Sequence, residues 1–218
     1  MNTTPDVRKD GLIITFSGPS GSGKNTISQK VMERDQQVNF LVTATTREPR
    51  DFEEDGVHYY FLSQDEFEQK LDDEEFLEHS RHHSNYYGTL KSELVSKLAQ
   101  GLDPHTDMSW TGARAVKEFL PENTVNFCIM PPSKEVLEER MEKRRQDSGE
   151  MSETQAKRLE KALIDMAVWQ EDGYVFTNED MKGSTLKDYD YVAVNRDLEA
   201  TVQFVLDAIR LERQKRRL

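Results

Sequence analysis

The chemistry in this chain begins at residues 12–26, Leu-Ile-Ile-Thr-Phe-Ser-Gly-Pro-Ser-Gly-Ser-Gly-Lys-Asn-Thr. Gly18, Pro19, Ser20, Gly21, Ser22, Gly23 and Lys24 make a glycine-rich turn that ends on a lysine. Glycines let successive backbone N–H groups converge on an anion, because no Cβ blocks the turn or the approach of phosphate oxygens. A helical pattern follows through Ile27 and Val31, so its unpaired N-terminal donors and positive dipole end face the same anion. Lys24 adds a mobile cation for the β- and γ-phosphates. The apolar run Leu12 to Phe16 before the turn supplies the strand that a phosphate loop requires, so Gly18 to Thr26 are expected to cradle a nucleoside triphosphate. Asn25 stands where the strict pattern has a hydroxyl for Mg²⁺, and Thr26 comes one place late. Magnesium is therefore expected to be held by the nucleotide and water, as this strongly hydrated ion tolerates.

A donor triphosphate implies an acceptor with charged groups of its own. Thr43-Ala-Thr-Thr-Arg-Glu-Pro-Arg50 supplies two guanidiniums three residues apart, with Pro49 stiffening the turn between them. Planar guanidiniums clamp phosphate through paired hydrogen bonds, and Tyr59 and Tyr87 offer hydroxyl donors to the same group.

These groups need elements to hold them. The chain has 218 residues, enough for one α/β domain with an inserted subdomain. Its net charge of −12 argues against nucleic acid and anionic membrane as partners, while local arginines still attract phosphate inside the screening length. The lone Cys128 sits in an apolar run and reads as a small buried residue of a reducing compartment; a cytoplasmic protein is expected. Residues 1–10 read as a flexible arm without signal character, and no run reaches membrane-spanning length.

Phe40 to Val42 reads as the start of a short strand, and Val57 to Leu62 as an aromatic-rich one. Ser63 with Glu66 forms a capping box for a helix carrying Phe67 and Leu71. Phe76 to Tyr87 reads as mixed extended and loop structure, and a helix with Leu90, Leu94, Val95 and Leu98 on one face precedes Gly101. A parallel α/β fold then needs a strand, yet Leu102 to Ser109 is polar and contains Pro104; topology alone assigns it as one. A helix over about 111–120, a strand at Val125–Met130, and a helix from Ser133 through Arg140 and Arg144 follow. The charged stretch Arg145–Met151 is expected to separate that helix from another starting at the capping box of Ser152 and Gln155. Residues 170–188 read as a long irregular connection, and Asp190–Asn195 as the last strand before a final helix.

With these segments in order, the chain resembles the guanylate kinases. The matching segments are Ser17–Lys24, Thr45–Arg50, Asp55–Phe61, Phe76–Glu78, Asn85–Thr89, Gly112–Val116, Pro131–Ser133 and Val194–Asn195. The resemblance implies a P-loop nucleoside monophosphate kinase: a parallel sheet flanked by helices over 11–218, a GMP-binding subdomain over about 43–89 and a helical lid over about 140–158. It implies ATP bound at Gly18 to Thr26 and at Asn195. GMP phosphate would meet Arg47, Arg50, Tyr59 and Tyr87, and the guanine would be read at Thr43, Glu78 and Thr89. Guanine shows N1–H and N2–H₂ together, and a carboxylate at Glu78 accepts from both, whereas adenine leaves it unpaired. The resemblance further implies that Lys24, Arg47, Arg140, Arg144 and Arg158 neutralise charge spread over the transferring phosphoryl group, with Mg²⁺ as cofactor. The working unit would be a monomer or homodimer.

The chain departs from the family around Asp107-Met-Ser-Trp-Thr-Gly112. Asp107 remains to place the hydration shell of Mg²⁺, but Ser109 replaces an aspartate that helps hold guanine. Losing one such contact costs about 1–3 kcal/mol, so a weakened or retuned enzyme is expected. Ser109 also leaves open a kinase for a different nucleoside monophosphate. Guanylate-kinase-like scaffold modules, which bind phosphorylated peptides, typically lose the loop lysine that this chain retains as Lys24. His79, His82 and His83 have no spacing suited to a metal and read as loop histidines.

Overall fold

The structure, a computed structural model, describes residues 10–82, 84–148 and 189–217. In chain order it contains β1 (Ile13–Ser17), α1 (Lys24–Arg34), β2 (Val38–Phe40), β3 (Ala44–Thr45), β4 (Tyr60–Phe61), α2 (Gln64–Asp72), β5 (Phe76–His82) and β6 (Asn85–Leu90). There follow α3 (Lys91–Ala99), β7 (Asp103–Asp107), α4 (Trp110–Phe119), β8 (Thr124–Met130), α5 (Lys134–Ser148), β9 (Tyr191–Val194) and α6 (Leu198–Arg216). Five parallel strands form the main sheet in the order β2-β7-β1-β8-β9.

The two-residue period of β1 sorts its side chains into two layers. Leu12, Ile14 and Phe16 join Ile27 and Val31 of α1 and Val202, Val205 and Ile209 of α6. Ile13 faces the other way, with Leu94 and Leu98 of α3 and Val116 and Leu120 of α4. Both faces of β1 are thus buried, as its unbroken apolar run requires.

Residues 44–90 build a second, four-stranded sheet, β4-β3-β6-β5, with β3 parallel to β4 and β6 antiparallel to both β3 and β5. Phe67 of α2 stacks on Phe76 at 4.3 Å and on Tyr86 at 5.2 Å to cover it. The capping box at the start of α2 is present, with Ser63 and Glu66 bonded reciprocally.

Several expectations change. The strand expected from Phe40 is two: the chain leaves the main sheet after Phe40 and joins the second at Ala44. The aromatic-rich stretch 57–62 shortens to Tyr60–Phe61, because Gly56 turns at φ +72° and His58 Nδ1 accepts the Glu54 N–H at 3.0 Å. Phe76–Tyr87 is mostly strand rather than mixed, as β5 and β6 pair antiparallel. The helix α5 continues through Arg145 to Ser148 where a break was expected; this stretch holds no glycine or proline. Residues 1–9, the second capping box at Ser152 and Gln155, and the connection at 170–188 lie outside the described residues.

Leu102–Ser109 does contain a strand, β7, in the middle of the sheet. Tertiary partners make its polarity tolerable. Asp103 is fully buried, accepting the Leu12 N–H at 2.9 Å and Arg213 Nε at 2.7 Å. Arg213 also donates to Asp35 at 2.6 Å, tying the last helix to the first residue of β7 and to the C-cap residue of α1. Pro104, which has no N–H, precedes the first β1 pairing of the strand, Ile14 with His105. His105 lies against Phe16 and Phe40, and burial pushes its imidazole down to about 4.

Candidate active site

The glycine turn leaves the carboxyl end of β1, where the ends of β7, β8 and β9 also gather. This is the edge at which open parallel sheets take ligands. Ser17 at the strand end donates its hydroxyl to the Met108 carbonyl at 3.0 Å, holding the turn beside the end of β7. Gly18 is obligatory: its φ is +137°, and a Cβ there would lie 2.1 Å from the Ile129 carbonyl oxygen. Gly23 has φ +100°, and a Cβ there would lie 2.4 Å from Asn195 Nδ2. With these constraints met, the loop folds back through Ser22 N–H to the Pro19 carbonyl at 3.2 Å and opens directly onto the N-terminus of α1. Lys24 Nζ donates to the Gly18 and Pro19 carbonyls at 2.8 and 3.1 Å. Its ammonium therefore curls over the turn. Ser20 lies at the partly exposed rim, and Asn25 and Thr26 are exposed on the first turn of α1.

Two further predicted residues meet this loop. Asn195, just past β9, donates Nδ2 to the Ser22 carbonyl at 2.9 Å. Arg140 of α5 donates to the same carbonyl at 3.3 Å and to the Asn195 carbonyl at 2.9 Å. Both of these Arg140 partners are neutral, and burial lowers the pKa of its guanidinium. Arg144 lies one turn further along α5. Arg158, and most of the expected lid over 140–158, lie outside the described residues.

Asp107 ends β7 beside the loop. Its Oδ1 is buried without a hydrogen-bond partner, and burial pushes the carboxyl up to about 6 against the opposing pull of Lys24. A buried, unspent oxygen in the field of the loop lysine fits an acceptor for a water on a phosphate-bound Mg²⁺. Among the described residues no group of three or more His, Cys, Asp or Glu side chains is placed to hold a metal directly. Cys128, fully buried in β8, has its thiol pushed up to about 12 by burial and is chemically inert.

The second sheet assembles the arginine cluster. Arg47 lies 5.5 Å from the Tyr59 ring centroid and 5.8 Å from that of Phe61. The Tyr59 and Tyr87 rings meet edge-on at 6.2 Å, and the Tyr87 hydroxyl lies close enough to Arg47 to help raise its pKa. Arg50 is exposed on the neighbouring loop, within electrostatic reach of Tyr59. Four of the predicted residues are thus brought together. Glu53, absent from the sequence reading, joins them: Arg47 Nη2 donates to its Oε1 at 2.8 Å. That partner holds the carboxyl below its usual range and the guanidinium above its own. The signal for it was slight, a single carboxylate in an acidic stretch three residues past Arg50.

Glu78 of β5 and Thr89 of β6 are opposite one another, and Thr89 Oγ1 donates to Glu78 Oε1 at 2.7 Å. The Glu78 stem lies against α4, since a Cβ on Gly112 would be 3.3 Å from its Cγ. Ser109 caps α4, its hydroxyl accepting the Gly112 N–H at 3.3 Å and sharing a 2.8 Å hydrogen bond with Thr111. Thr43, half-buried just before β3, gives its carbonyl to the Tyr60 N–H at 2.9 Å. The turn from Asp107 to Gly112 therefore touches both halves of the site: one end lies beside Lys24, the other beside Glu78.

The chain matches the family described as guanylate kinase over residues 10–212. A guanylate kinase of Paramagnetospirillum magneticum is 37% identical over 217 residues, covering 98% of this chain and 92% of that protein. One from Idiomarina loihiensis is 43% identical over 176 residues, covering 80% and 82%. The crystal structure of guanylate kinase from Anaplasma phagocytophilum matches with a TM-score of 0.59 at 27% identity, covering 93% of this chain and 86% of that one.

Proposed function

The chain belongs to the guanylate kinase family, with ATP-dependent phosphorylation of GMP as its activity, and we propose that the two side-chain groups described above divide that reaction between them. The observation that carries this reading is the Asp107–Gly112 turn, which ties the phosphate loop to the Glu78 wall.

In this reading the amides of Gly18 to Thr26 and the α1 N-terminus hold the ATP phosphates, with Asn195 and Arg140 fixing the outer edge of the loop. Lys24 exchanges the Gly18 and Pro19 carbonyls for phosphate oxygens. Residues 43–89 form the GMP subdomain: Arg47, Arg50, Tyr59 and Tyr87 take the GMP phosphate, and Thr43, Glu78, Thr89 and Ser109 surround the guanine. Held between them, a GMP phosphate oxygen forms its bond to the γ-phosphorus as the bond to the β–γ bridging oxygen breaks and ADP leaves. The nucleophile needs no general base, because a phosphate monoester with a second pKa near 6 is already anionic. Arg140, Arg144 and Arg158 counter the charge that spreads over the moving group. Mg²⁺, when bound, would offset part of the triphosphate charge, and Asp107, whose Oδ1 is buried and unspent, would accept from its hydration shell.

Lys24→Met tests the division of labour. Turnover in an ADP-release assay should fall by about 10²–10³ or more, while calorimetric GMP affinity stays unchanged. Undiminished turnover would remove the loop from the reaction.

A further inference from the structure

Glu53 stands in an acidic loop open to solvent, yet its side chain is only 6% exposed. Oε1 accepts from Arg47 Nη2 and Oε2 from the Arg50 backbone N–H, both at 2.8 Å. The Glu53 N–H in turn donates to the Arg50 carbonyl at 2.8 Å. One carboxylate thus fastens the guanidinium of the first arginine to the backbone of the second, across Pro49. The other end of Arg47 is fixed as well, by Nη1 donating to the Glu48 carbonyl at 2.6 Å and by the Tyr59 ring beneath it.

A carboxylate beside an arginine has two opposed effects on a phosphate ligand. It cancels part of the attraction, and it removes the rotamer freedom that a long side chain would otherwise lose on binding. Glu53 is held more firmly than a mobile competitor would be, because swinging aside would break its second hydrogen bond, to the Arg50 N–H, as well as the first. The guanidinium carries more N–H donors than its protein partners use, so phosphate can be met without displacing the carboxylate.

We propose that Glu53 is a positioning residue for GMP, holding Arg47 and the 47–53 turn in the phosphate-binding arrangement before the ligand arrives. This rests on the reading that Arg47 and Arg50 take the GMP phosphate.

The test compares the parent, Glu53→Gln and Glu53→Ala in the full chain, by steady-state kinetics and by calorimetric titration with GMP and with guanosine. Glu53→Ala should raise KM for GMP about 10–100-fold, the worth of a charge-assisted hydrogen bond. KM for ATP should stay within about twofold. Glu53→Gln, which keeps one acceptor, should fall between Glu53→Ala and the parent. GMP affinity should drop in Glu53→Ala while guanosine affinity holds, because only the phosphate contacts loosen. Unchanged or tighter GMP binding would overturn the proposal and mark the carboxylate as inert or as a competitor. Equal losses for GMP and guanosine would also overturn it, by showing a general disturbance of the sheet. If the parent itself binds GMP no better than guanosine, the assignment of Arg47 and Arg50 fails first, and that result is separate from any effect of Glu53.

Discussion

Replacing Glu78 by glutamine isolates the contact on which base selection rests in the proposed reading. Thr89 holds Oε1 at 2.7 Å and Gly112 abuts the stem, so the carboxylate has little freedom to turn away. Glutamine keeps the shape, loses the charge and converts one acceptor into an NH₂ donor. If its oxygen faces the base, the Thr89 hydroxyl rotates to accept from the amide, and the two guanine N–H groups share one neutral oxygen. If its NH₂ faces the base, donors oppose donors. Hydrogen bonds to a charged group are worth about 1.5–3 kcal/mol each. Losing one and weakening the other amounts to about 2–4 kcal/mol, roughly 30–1,000-fold in kcat/KM for GMP. KM for ATP should hold, since the phosphate loop is untouched. AMP, whose N1 is an acceptor, should gain relative to GMP. ADP release, coupled to pyruvate kinase and lactate dehydrogenase, reads both substrates. A kcat/KM for GMP within about threefold of the parent, or an equal loss for GMP and AMP, would refute the reasoning.

Two other substitutions probe β7 and the turn that follows it. Ser109→Asp preserves the cap of α4, because aspartate is as good an N-cap as serine. It also adds a carboxylate to the helix end that meets Glu78, so kcat/KM for GMP should rise about tenfold; no gain would place residue 109 away from the base. His105→Leu tests the buried imidazole. Its pKa is depressed from 6.5 to about 4, so the unfolded chain takes the proton first. The stability it contributes is whole above pH 6.5 and is lost as pH falls towards 4. Asp107 acts in the opposite sense: its carboxyl is raised from 3.8 to about 6, so the folded chain keeps a proton and stability falls as pH rises through that window. Removing His105 deletes the first slope and leaves the contributions of Asp107 and of the other carboxylates in place. The unfolding free-energy difference between about pH 7.5 and pH 4.5, from urea titrations, should shift by about 2–3 kcal/mol against the parent. Parallel pH profiles would contradict the buried, neutral assignment.

The phosphate loop was legible because its requirements are local. Gly18 and Gly23 are the only residue type their backbone angles and close neighbours accept, and the apolar run before them has one use in a parallel sheet. The arginine cluster was legible as chemistry, but its geometry was not. Arg47 is placed by Tyr59 and Tyr87, and Tyr87 reaches it only because β3 pairs with β6. β7 was the hardest element to read. Asp103, Pro104 and His105 violate the composition of a buried strand, and what excuses them is distant: Leu12, Arg213, Phe16 and Met32. Glu53 escaped notice for the same reason, since a carboxylate in an acidic loop gains meaning only when the Arg47 guanidinium and the Arg50 backbone fold back on it. The misplaced end of α5 had another cause: charge was read as a break, although Arg, Gln and Asp without glycine or proline continue a helix readily enough.

The most direct measurement is ADP release by the parent chain with ATP, Mg²⁺ and each of GMP, dGMP, AMP, UMP and CMP. A carboxylate held by Thr89 on one wall, with Arg47 fixed and Arg50 exposed beside it for phosphate, predicts that GMP turns over well ahead of AMP, UMP and CMP. Preferred turnover of AMP or a pyrimidine monophosphate, or no turnover of any, would contradict the account.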